Sequence, residues 1–105
     1  MILEQLKAIL DTTGLPVAYL AFPADSTPAM PFVCYQELGS RNMGADNTVW
    51  HSATRVQIDL LTSRKDRTTE QLLENKLTEA CIFWERVPDY DSANDYYRVT
   101  YEAEI

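Results

Sequence analysis

Glycine is scarce in this chain, with three residues in 105, and that scarcity argues against flexible linkers between separate units. No G-x-x-x-x-G-K-[ST] or G-x-G-x-x-G run occurs, so a glycine-rich cradle for phosphates has no support. Histidine is scarcer still: His51 stands alone, and any imidazole-based nucleophilic or metal site must pass through it. Two cysteines, Cys34 and Cys81, form no CxxC and fall far short of a disulfide scaffold, so two reduced, buried thiols are expected. With one His and two widely separated Cys there are too few ligands for a structural zinc site.

Basic residues are outnumbered, nine Lys and Arg against sixteen Asp and Glu, for a formal net charge of -7. Affinity for nucleic-acid backbone comes mainly from cations displacing phosphate counterions, so nucleic-acid and anionic-membrane binding are disfavoured. No apolar run is long enough to cross a bilayer, and the first residues, Met1 to Lys7, do not read as a signal peptide.

What is present is ordinary globular composition, 46% hydrophobic and 24% charged, on a length that suits one domain spanning 1–105. Ile2, Leu3, Leu6, Ile9 and Leu10 gather on one helical face, and Gly14 followed by Pro16 ends that helix. Val17 to Phe22 reads as a strand, followed by a Ser, Thr and Pro loop. Phe32 to Leu38 reads as a second, after which Gly39 to Asn47 is expected as a polar loop protruding beyond the sheet. A long third strand from Thr48 to Leu61 sends Val56, Ile58 and Leu60 to one face and Arg55, Gln57 and Asp59 to the other.

Asp66 or Thr68 caps a second helix, in which Leu73, Leu77, Ala80, Cys81 and Trp84 recur at helical spacing. Phe83 to Val87 begins a fourth strand, residues 89–94 turn, and a last strand places Tyr97, Val99, Tyr101, Ala103 and Ile105 on one face. The expected fold is α+β in the order αβββαββ: an antiparallel sheet of about four to five strands with both helices on one face.

No constellation marks an enzyme. The carboxylates of Asp89, Asp91 and Asp95 suggest a calcium loop, but Ala93, Asn94 and Thr100 stand where ligand, Gly and Glu are needed, so a solvated turn is expected. Arg64, Lys65 and Arg67 form the one basic cluster, suited either to an exposed turn or to an acidic patch on a neighbouring copy. Trp84, Tyr96, Tyr97 and Tyr101 crowd the final hairpin, in numbers divided between core and interface.

Taken over nearly its full length, the sequence resembles the tail terminator, or tail-to-head joining, proteins of long-tailed bacteriophages and prophages. The resemblance rests on the Ile2 to Leu10 helix, Pro28-Ala29-Met30-Pro31-Phe32-Val33-Cys34-Tyr35, Asn42-Met43-Gly44-Ala45-Asp46-Asn47, the Val56 to Asp66 segment, the long helix and the tyrosine-rich hairpin. It implies a structural, non-enzymatic virion tail or neck protein, assembled in the host cytoplasm. Without any cofactor, it would form a ring, typically a hexamer, that stops tube polymerisation and meets the head connector. Its partners would be its own copies, the tail tube protein and the connector, with DNA passing through the lumen. Candidate subunit or tube contacts are Arg41, Asn42, Asp46 and Asn47 in the loop and Arg64, Lys65 and Arg67 at the turn. Three other readings stay open: a head-closure protein of the same particle, an adaptor binding a peptide along a sheet edge, and a small hydrolase using His51 with Cys34 or a carboxylate.

Overall fold

The computed structural model describes the backbone of residues 1–45 and 48–105, and side chains outside 41–52. Two helices and five strands run in the order α1 (Leu3–Asp11), β1 (Val17–Tyr19), β2 (Phe32–Ala45), β3 (Thr48–Thr62), α2 (Arg67–Glu79), β4 (Trp84–Asp91), β5 (Tyr96–Glu104). The fold is α+β, with the strands in one sheet ordered β1-β2-β3-β5-β4.

Alternation of apolar and polar residues governs the sheet centre. Val56, Ile58 and Leu60 of β3 and Val99 and Tyr101 of β5 are buried on one face, where Leu6 and Leu10 of α1 and Leu73 and Leu77 of α2 cover them. Such a face drives folding because each large apolar side chain removed from water contributes roughly 1.5–3 kcal/mol. Gly14, at φ +78, takes the left-handed conformation past the end of α1. The Asp66 carboxylate, rather than Thr68, caps α2: it accepts the Thr69 backbone N–H at 3.1 Å and its hydroxyl at 2.7 Å. These bonds hold the Asp66 pKa below its ordinary value.

The structure corrects the sequence reading at several places. The sheet is mixed, because β1 pairs parallel to β2 while the remaining pairs are antiparallel. β1 stops at Tyr19 rather than Phe22: Leu20 swings to φ 66 and the Ala21 N–H bonds back to the Tyr19 carbonyl at 2.8 Å. The loop that follows folds over the outer face, where Phe22 meets Phe32 edge to face at 5.2 Å; that face is therefore apolar at its β2 end, with Cys34 buried. α2 ends at Glu79 because Cys81 adopts φ 60, so Cys81 is exposed and not buried, Ile82 takes the core place, and Trp84 opens β4. β4 runs on to Asp91 through Pro88, which a strand tolerates at the edge of a sheet.

The largest departure lies between Gly39 and Ala45, expected as a loop. β2 continues through this stretch and pairs with β3 out to Ala45 opposite Thr48. Because β5 pairs with β3 only from Arg55 onward, with Ile105 bonding to Thr54, the ladder beyond is a two-stranded ribbon standing off the five-stranded body. The molecule measures 51 Å along its longest axis against 27 and 24 Å across.

Candidate functional site

Three features outside the core invite a functional reading: the basic turn before α2, the β2–β3 ribbon, and a groove at the ribbon's base. The basic turn is already engaged. Lys65 Nζ lies 2.9 Å from Glu70, and the Arg67 guanidinium lies 2.7 Å from Glu70 and 3.4 Å from Glu74. Both carboxylates are almost fully enclosed, at 1% and 4% exposure, although they sit on a helix that reads as solvated. Glu74 also accepts from Arg86 of β4 at 2.9 Å and from the Tyr101 hydroxyl of β5 at 2.8 Å, so one carboxylate ties α2 to both strands of the last hairpin. Burial first, and this bond second, push the Tyr101 hydroxyl far above the ordinary tyrosine pKa. Buried carboxylates are tolerated when paired and hydrogen-bonded, and this pair has cations on its open side and a hydroxyl on its closed side. The turn is therefore chiefly a structural clamp, with exposed Arg64 outside these pairs.

At the ribbon's base the pairing register slips between Glu37 and Gly39, leaving Leu38 as the extra residue of a β-bulge. Gly39 sits at φ +155, a conformation that residues with a Cβ rarely adopt. A bulge re-aims the side chain it carries, and Leu38 is turned outward at 40% exposure. There it lines a groove of about 610 Å³ together with Phe83 and the strand positions Arg55, Glu85, Glu102 and Glu104. Phe83 is 93% exposed, the largest exposure among the large apolar side chains described. The neighbouring Trp84 ring instead packs against the core, its indole N–H donating to the Thr78 hydroxyl at 3.2 Å and its centroid 5.5 Å from that of Tyr101 in a T-shaped contact. The walls are charged: Glu85 stands directly across the β4–β5 ladder from Glu102, and Arg55 across the β3–β5 ladder from Glu104.

Asp89 and Asp91 are strand positions at the end of β4, and residues 92–95 make the hairpin turn, where the Asp91 carboxylate accepts the N–H groups of Ala93 and Asn94 at 3.0 and 3.1 Å. Among the described residues no group of three or more His, Cys, Asp or Glu side chains is placed to hold a metal ion. No described helix is long and apolar enough to cross a membrane.

No protein-family model matches the sequence, and no curated protein matches it.

Of the candidate contact residues, Arg41 and Asn42 are ribbon positions on β2, opposite Ala53 and Ser52 of β3, and their side chains lie outside the described part. Asp46 and Asn47 lie outside the described residues. Arg64, Lys65 and Arg67 follow the far end of β3 from the ribbon, away from the strand positions of Arg41 and Asn42. His51 is a β3 position opposite Met43, its side chain likewise outside the described part. Sequence reasoning missed Glu70 and Glu74, whose signal was their spacing: with Leu73 and Leu77 they fall on one helical face.

Proposed function

We propose that this chain is a structural morphogenesis protein of a long-tailed phage or prophage. In this reading it caps the head-proximal end of the tail tube and joins it to the head connector as a ring of its own copies. The sequence resemblance supplies the family. The observation that carries the reading structurally is the β2–β3 ribbon, which extends past every other strand of the sheet. A two-stranded ribbon is marginal on its own in water, so one standing off a domain is suited to lying against another surface. Head-to-tail association through such an arm generates a closed ring when the rotation between copies closes. The negative balance suits a lumen wall from which DNA is repelled and along which it slides.

Deletion of the gene tests this directly. Without a cap, tails are expected to grow past their normal length and to remain unjoined to heads, and the purified chain added back should restore normal joined tails. Tails of unchanged length, attached to heads in the deletion, would refute the role. Sedimentation of the purified chain, alone and with tail tubes, measures the ring directly. A head-closure role would instead leave tail length normal while blocking attachment.

A further inference from the structure

We infer that the open face of the sheet, the side opposite the helices, is the wall past which DNA slides in the ring proposed above, with the helices turned outward. The inference rests on that ring reading and adds which surface of the chain meets the nucleic acid. It comes from the way charge is divided between the two sides. Val56, Ile58, Leu60, Val99 and Tyr101 mark the core face, and Trp84 of β4 packs on the same side. By strand alternation the open face carries the carboxylates of Asp59, Glu85, Asp89, Asp91 and Glu102. Against these five stand Arg55 and Arg98, a balance of -3 even with Glu104, which is already engaged, left out. The helix side is neutral: α1, the 64–66 turn, α2 and Arg86 together hold six cations and six carboxylates.

DNA carries one negative charge per about 1.7 Å of its axis, so a wall it slides past must offer no cation free to hold a phosphate. Arg98 lies 3.3 Å from Asp89, and Arg55 stands directly across the ladder from Glu104. Between them the row Gln57, Glu102 and Glu85 sets two exposed carboxylates side by side, neither in an ion pair among the described residues. Like charges directly opposed weaken a sheet, and a surface that has to repel a polyanion accounts for keeping them. A ring repeats the same balance in every copy, so a strand threaded through it is repelled from all sides. The neutral helix side has no such effect on a polyanion and suits the outside of the ring.

The test compares two charge reversals of equal size in the intact particle. Glu85→Lys with Glu102→Lys reverses the open face, and Glu4→Lys with Glu79→Lys reverses the helix side; all four side chains are exposed. Both variants are expected to give tails of parent length joined to heads. DNA release from opened particles should slow by about tenfold or more in the first and stay within roughly twofold of the parent in the second. Release at the parent rate in the open-face variant, or equal slowing in both, would overturn the inference. So would an open-face variant that melts like the parent yet fails to join tails to heads, because that face would then be a contact with another protein. If the Lys pair unfolds the chain, Glu85→Gln with Glu102→Gln removes the charge alone and is read in the same way, with about threefold slowing expected. Failure of the ring reading itself is registered separately, by normal joined tails in the gene deletion.

Discussion

Replacing Glu74 by Ala removes one carboxylate from beneath three donors, and the structure assigns a size to the loss. The Tyr101 hydroxyl, on a residue with 0% exposure, loses its acceptor with no water at hand. A buried donor left unsatisfied costs about 1–3 kcal/mol. The Arg86 side chain is 35% exposed and turns back to solvent, so its pair contributes on the scale of a surface ion pair, about 1 kcal/mol or less. Together these give a destabilisation of about 1–4 kcal/mol, centred below the roughly 3–5 kcal/mol for a fully buried pair broken on one side. In a domain of this size that lowers the melting temperature by roughly 5–20 °C. Urea denaturation followed by circular dichroism measures it, with Glu74→Gln as a comparator that keeps an acceptor for Tyr101 and loses about half as much.

Tyr101→Phe supplies a pH arm for the same network. The raised Tyr101 pKa means the folded state holds that proton longer than the unfolded chain does. Its contribution is therefore fully present below the unfolded tyrosine value of about 10 and drains away as pH rises beyond it toward the folded value. The parent should lose stability above that pH more steeply than Tyr101→Phe, and the two curves should converge. A Glu74→Ala variant within about 0.5 kcal/mol of the parent, or parallel pH curves for Tyr101→Phe, would refute the claim that this carboxylate holds the hairpin to the helix.

Two further outcomes are expected. Gly39→Ala meets no steric obstacle, since nothing lies within 4 Å of its added Cβ, yet φ +155 strains any L side chain. It should cost on the order of 1–3 kcal/mol by urea denaturation, and an unchanged midpoint would show that the bulge relaxes freely. A chromogenic disulfide reagent should titrate exposed Cys81 at once in the native protein and reach buried Cys34, its thiol pKa raised by burial, only as urea unfolds the chain. Equal rates for both thiols would contradict the enclosure of β2's outer face by Phe22.

The central fold could be read from the chain because one face of β3 and β5 is core and the other water, so Val56, Ile58, Leu60, Val99 and Tyr101 mark it by simple alternation. α1 was readable for the same reason at helical period. The ribbon was not, because Gly39, Ser40, Asn42 and Gly44 carry turn chemistry, while what makes them a strand is a backbone ladder that side-chain pattern does not encode. The end of α2 was hidden by Cys81 and Trp84, apolar residues in helical register that the backbone's left-handed step diverts. The groove draws Leu38 and Phe83 from distant parts of the chain and needs a bulge to do so, which leaves no local trace. The basic turn was found but not its neutralisation, which depends on two glutamates facing inward.

The two borders of the sheet carry a consequence for how copies of this protein can meet. Along the five-stranded body β1 is only three residues long and β4 is interrupted by an imino acid, so neither of these edge strands presents an unbroken row of amide donors to a newcomer. Runaway fibre growth by strand stacking is thereby discouraged along the body. Contacts between molecules are channelled instead to broad faces and projections, where stoichiometry can be finite.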